Sequence, residues 1–209
     1  MAETALHQLD LDQVIWVPSR RPPHKSRLEV FDIAHRLAML QRAIADQPAF
    51  VLSEIELKSP GLSYAINTLI DLKLLYPNSQ WYWIIGLDAF QSLPQWYRSQ
   101  EVALQCHWLV APRLESLAAD NVLEAGSKAG SWEDMIQAQL DARCQQVVQQ
   151  MAAQSIRLCW QALAMPWVTV SSSLIRQYCR DRRSIRYLVP EAVRTYIADQ
   201  KLYQGHQDS

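Results

Sequence analysis

Nowhere along the 209 residues do about eighteen apolar residues run together, so no membrane-spanning helix is expected. The first ten residues carry Glu3 and Asp10 where a secretory signal needs a basic start and an apolar stretch. The expectation is a soluble, cytoplasmic protein. Neither sign of charge is in excess: 20 Lys and Arg face 21 Asp and Glu, a net charge of −1. That removes the whole-chain electrostatic case for nucleic acid or an anionic membrane and leaves small ligands as the expected partners. Four cysteines, Cys106, Cys144, Cys159 and Cys179, form no Cys-x-x-Cys pair and have no histidine at zinc-ligand spacing. They read as buried thiols in a reducing compartment. What the chain has in quantity is tryptophan, eight in all, and large rings go first to core packing. The length suits a single domain with one site.

Strand and helix signals alternate. Residues 2–9 read as the end of a helix, and Val14 to Val17 as a strand buried on both faces, closed by Pro18 and Ser19. Helical spacing from Phe31 to Ala45 precedes a strand at Phe50 to Leu52. A helix is expected from Ser63 to Tyr76, ended by Pro77 and Asn78, then a strand from Trp81 to Ile85 and another from Trp108 to Ala111. Leu114 to Gln154 breaks the rhythm with Gly126, Gly130 and Ser131 and reads as a surface insertion. Strands at Ser155 to Cys159 and Trp167 to Val170, then helices over 172–180 and 190–202, close the chain. Such alternation predicts an α/β fold, a parallel sheet with helices on both faces and ligands at the carboxyl ends of its strands.

Three clusters lie at such ends. Arg20-Arg21-Pro22-Pro23-His24-Lys25 is a stiffened basic loop, suited to phosphate or carboxylate; a solvated turn is the plainer reading of the cluster alone, and its place after a strand favours function. Gly86-Leu87-Asp88 follows the strand WYWII: a glycine lets backbone approach a ligand and an aspartate accepts from ribose hydroxyls, or the aspartate merely caps the next helix. Ser171, Ser172 and Ser173 open a predicted helix with Arg176 one turn on, an arrangement for phosphate at a helix N-terminus or for plain N-capping. Trp96, in Leu93-Pro94-Gln95-Trp96, is placed to stack on a heteroaromatic ring. Trp16, Trp81 and Trp83 lie inside strands and are expected in the core.

In order along the chain, AETAL, VIWVPSRRPPHK, AHRLAMLQRAI, SEIELKSPGLSYAINTL, WYWIIGLDAF with LPQW, VSSSLIR and SIRYLVPEAVRTYIADQKLY resemble bacterial nicotinate-nucleotide adenylyltransferase, of the nucleotidyltransferase superfamily. Only Leu114 to Gln154 falls outside the likeness. The resemblance implies a Rossmann-like fold and transfer of the adenylyl group of ATP to nicotinate mononucleotide, with Mg²⁺ assisting. The acceptor's 5′-phosphate is already anionic, so alignment and charge neutralisation carry the reaction and no general base is required. Carried over by position, Ser172, Ser173 and Arg176 look like the ATP phosphate grip, and Gly86 and Asp88 like nucleotide positions near the ribose. His24, Lys25, Tyr64 and Trp96 look like the pyridine-nucleotide side. Arg36 and Glu56 also match family positions and are expected to be structural.

The chain departs from that pattern in lacking a glycine-rich first strand ending in H-x-G-H, whose histidines would touch the triphosphate. No catalytic residue is therefore assigned. A start further upstream is the favoured expectation; a catalytically impaired nucleotide-binding paralogue is the alternative. Ala65 and Asn67 stand where the family carries Thr and Asp, which opens the choice between nicotinate and nicotinamide mononucleotide. A third reading, an adenylyl- or cytidylyltransferase with another acceptor such as phosphopantetheine, sits less well with P-P-H-K, G-x-D and Y-L-V-P. Nucleic acid and membrane are not expected partners, and a homo-oligomer stays open.

Overall fold

The structure, a computed structural model, describes residues 1–23, 32–59, 61–112, 132–166 and 169–204. They group into two compact units, one of Met1–Asp12 with Ser63–Thr169, the other of Gln13–Leu62 with Val170–Ser209.

The first unit is built on a parallel sheet in the order β3 (Tyr82–Gly86), β4 (His107–Ala111), β5 (Trp160–Ala162). Successive side chains of a strand point to opposite faces. Trp108 and Val110 of the central strand therefore enter one core with Trp83 and Ile85, while Leu109 and Ala111 enter another with Tyr82 and Ile84. The first face is covered by α4 (Ala65–Leu75), α5 (Leu87–Ser92), α6 (Ser99–Leu104) and α7 (Trp132–Ala152). The second is covered by α1 (Ala2–Gln8), which buries Ala5. Gln8 ties α1 to the sheet's edge, donating to Ala162 O at 3.0 Å and accepting from Ala164 N at 2.9 Å. Parallel strands with helices on both faces are thus as the sequence predicts.

Three expectations need correction. The stretch from Leu114 to Gln154 is not all surface: Ile136, Leu140, Cys144, Val147 and Met151, spaced by three and four, form one stripe of α7 packed into the first core. Its earlier half lies outside the described residues. The strand expected at Ser155 to Cys159 falls instead at Trp160–Ala162, because the chain first turns out of α7 through Ser155 at φ 62 and reaches β4 only where Trp108 N donates to Cys159 O. Cys159 is then exposed and Cys179 partly so; Cys106 and Cys144 are buried as expected. Residues 167 and 168 of the last expected strand lie outside the described residues.

In the second unit β1 (Val14–Trp16) pairs in parallel with β2 (Phe50–Leu52), and α2 (Ile33–Ile44) makes the crossover. Asp32 caps α2 by accepting from Ala34 N at 2.9 Å. The short α3 (Ile55–Lys58) carries too few residues to show a helical period. Helices α8 (Ser172–Arg180) and α9 (Glu191–Asp199) share a core of Ile175, Ile185, Val193, Ile197 and Leu202, against which Met39 and Ala43 of α2 pack. His35 Nδ1 meets Tyr196 OH at 2.8 Å, and the Arg42 guanidinium lies 4.3 Å from the centre of the Tyr196 ring.

The units differ in charge. Residues of the first include 6 Lys and Arg against 12 Asp and Glu; those of the second, 14 against 9, so the chain's −1 divides into −6 and +5. Among the described residues no helix is long and apolar enough to cross a membrane.

Trp108, fully buried in the central strand, sets the scale of the first unit's stability. Trp108→Ala is expected to cost about 3–5 kcal/mol in denaturant unfolding, against less than about 0.5 kcal/mol for the exposed Leu74→Ala. Equal effects would contradict the packing described.

Candidate functional site

β3 ends at Gly86 and passes directly into α5, in whose first turn Asp88 stands exposed. Gly86, not Asp88, is the N-cap residue, so Asp88 is not the helix's cap. Gly86 has φ −76° and ψ 154°, which any residue adopts, and a Cβ built on it would meet no heavy atom of the described residues within 4 Å beyond its chain neighbours. Neither backbone conformation nor the chain's own atoms require glycine there. Bare backbone at a strand's carboxyl end, beside a carboxylate, is open to a ligand.

The turn after α5 carries Trp96. Its indole N–H donates to Ser92 Oγ at 2.9 Å, and its ring stands edge-on to Trp83 and Trp108, with centroids at 6.4 and 5.9 Å. The ring is half-buried and braced on one side by the core, which leaves its direction fixed. Tyr64 precedes α4, and its ring lies 4.4 Å from that of Tyr97 at 36°. The structure therefore brings Tyr64 to the residue next to Trp96. Tyr97, 55% exposed, was missed in the sequence. The adjacent Trp-Tyr pair beyond a strand's end is the signal that would have found it.

In the second unit Ser171 caps α8, accepting from Leu174 N at 3.2 Å. Capping is thus done by Ser171, and Ser172 and Ser173 are exposed. Arg176, one turn on, donates from Nη2 to Ser173 Oγ at 3.1 Å, so hydroxyl and guanidinium stand together at the positive end of a nine-residue helix. The loop after β1 is held at its root: Arg36 donates to Ser19 O at 2.7 Å and Arg20 to Leu57 O at 3.2 Å. Arg36 thus braces the root of this loop. His24 and Lys25 lie outside the described residues. Among the described residues no three His, Cys, Asp or Glu side chains are grouped to hold a metal ion.

The cytidylyltransferase-like family profile matches residues 1–178. The chain belongs to this family. Among its cytidylyltransferase-like relatives, a "Probable nicotinate-nucleotide adenylyltransferase" of Trichormus variabilis is 51% identical over 97% of this chain and 88% of its own length. One of the same name from Nostoc sp. is likewise 51% identical over the same shares. The solved structure of Plasmodium falciparum nicotinic acid mononucleotide adenylyltransferase complexed with NaAD superposes with a TM-score of 0.63, at 16% identity, over 96% of this chain and 87% of that one. At that identity the likeness speaks for the fold.

Burial pushes the thiols of Cys106 and Cys144 up to about 12. Their raised folded-state values give stability that is full below the ordinary thiol pKa and is lost as the pH climbs toward 12. At pH 8 an alkylating reagent is expected to modify exposed Cys159 first, with Cys106 and Cys144 of this cytidylyltransferase-like chain reacting only on unfolding; mass spectrometry of the labelled peptides reads the order.

Proposed function

We propose that the protein transfers the adenylyl group of ATP to nicotinate mononucleotide, releasing pyrophosphate and forming nicotinic acid adenine dinucleotide for NAD biosynthesis. The observation that carries this reading is the start of α8, where Ser171 supplies the side-chain cap while exposed Ser172 and the hydrogen-bonded pair Ser173 and Arg176 stand beside it for a polyphosphate. The near-full-length identity to relatives bearing that name supports the same reading.

The acceptor's phosphate oxygen attacks the α-phosphorus of ATP. One P–O bond forms, the bond to the bridging oxygen breaks, and pyrophosphate leaves with its electron pair. A phosphate nucleophile needs no proton removed at neutral pH, so the protein's work is to align two anions and offset their charge. Ser172, Ser173 and Arg176 hold the ATP phosphates. Gly86 admits the nucleotide to the end of β3, with Asp88 accepting from ribose hydroxyls. Trp96, already braced by Ser92 and two indoles, stacks on the pyridine ring, and the family resemblance assigns Tyr64, His24 and Lys25 to the same substrate. Magnesium, brought with ATP, would help neutralise its phosphates and would need few protein donors, so Ser172, Ser173 and Arg176 need hold only the phosphates.

The assay is pyrophosphate release from ATP and Mg²⁺ with nicotinate or nicotinamide mononucleotide. Faster turnover with the nicotinate form is expected; release with neither, from a folded chain, would sink the reading. Arg176→Ala is expected to lower kcat/KM for ATP about a hundredfold through both KM and kcat, and unchanged kinetics would remove the phosphate grip. Trp96→Ala is expected to raise KM for the pyridine nucleotide about tenfold and to leave KM for ATP within about twofold.

A further inference from the structure

At the far end of α8, about 13 Å along the helix from Ser172, lies a second basic cluster that the adenylyl-transfer reading does not use. Arg180, Arg182, Arg183 and Arg186 fall within seven residues, all exposed, in the unit whose residues carry +5. Their acidic neighbours are few. Asp181, also exposed, makes no ion pair among the described residues, and Glu191, which feels Arg186, is held by the guanidinium of Arg194.

The backbone here is costly. Arg183 N donates to Tyr178 O at 2.8 Å and Arg182 N to Cys179 O at 3.2 Å, the double bond of a Schellman ending. Its left-handed position is normally glycine; here it is Arg182 at φ 55. Five residues on, Tyr187 is also left-handed, at φ 67, and its side chain is 93% exposed. The Arg183 guanidinium lies 3.9 Å from the Tyr178 ring and that of Arg186 lies 6.0 Å from the Tyr187 ring. Folding alone favours glycine at 182 and a buried or smaller side chain at 187. The turn thus carries charge and an open aromatic face at two of the chain's left-handed non-glycine positions.

We infer that the turn from Arg180 to Tyr187 is a second binding site for a nucleoside polyphosphate, its arginines taking phosphate oxygens and the Tyr187 ring stacking on the base. Guanidinia match phosphate oxygens in fork geometry. One exposed ring suits one base, whereas a nucleic-acid strand is usually served by several. The site is weaker than the α8 N-terminus, because it is fully solvated and its arginines are screened.

Calorimetric titration of the full chain with ATP, without any pyridine nucleotide, tests this independently of turnover. Two classes of site are expected. Arg176→Ala should weaken only the tighter class, and Tyr187→Ala and the double change Arg182→Gln, Arg183→Gln should each weaken the other about tenfold. Arg182→Gly separates binding from folding: it is expected to raise Tm by about 2–4 °C while weakening the second class. A single class abolished by Arg176→Ala overturns the inference, as does an Arg182→Gly chain that binds like the parent. Sodium triphosphate binding as well as ATP, indifferent to Tyr187, would make the turn a plain anion contact. A single-stranded RNA oligonucleotide binding more tightly than ATP through Tyr187 would make it a nucleic-acid surface, and either result overturns the nucleotide assignment.

Discussion

The indole of Trp108 is the constraint on which the first unit turns. It is fully buried in the middle strand, its N–H donates to Ala103 O at 3.3 Å, and Trp83, Phe90 and Trp96 surround it with ring centroids at 6.0, 6.2 and 5.9 Å. One side chain thereby sets the neighbouring strand, the helix after Gly86, the turn that carries Trp96 and the helix that leads back into the sheet. Aromatic rings in edge and tilted contact favour specific geometries beyond the area they bury. The side chains offered to a ligand at the end of β3 inherit their direction from that cluster.

Much of this order is readable from the amino acids because the period of the apolar residues differs between strand and helix. His107 to Ala111 and Tyr82 to Gly86 carry short apolar runs bounded by polar or turn residues, and Ser172 to Arg180 opens on hydroxyls and ends on arginine; all three stand where the pattern puts them. The pattern failed where packing from elsewhere decides. β5 is three residues long, and it is strand because β4 lies beside it, not because Trp-Gln-Ala prefers extension. The stripe on α7 is interrupted by so many glutamines that its buried face shows only once the helix is laid against the core.

The candidate site was legible in its residue types and less so in their partners. Glycine and aspartate after a strand, and serines before an arginine, suggest ligand chemistry from type and spacing alone. That Ser171 rather than its neighbours does the capping, or that Trp96 spends its N–H on Ser92, depends on hydrogen-bond geometry that spacing does not encode. Tyr97 escaped for the same reason: its contact with Tyr64 joins residues thirty-three apart in the chain.

Gly86 has a meaning for how the chain tolerates change. Its φ and ψ are ordinary and the space over its Cα is open, so among the described residues an alanine there would meet no obstacle. Folding sets no obstacle to drift at this position. If lineages nevertheless hold it as glycine, the selecting object is something the polypeptide does not contain, and the spread of residues tolerated at position 86 becomes a record of what has occupied the end of β3.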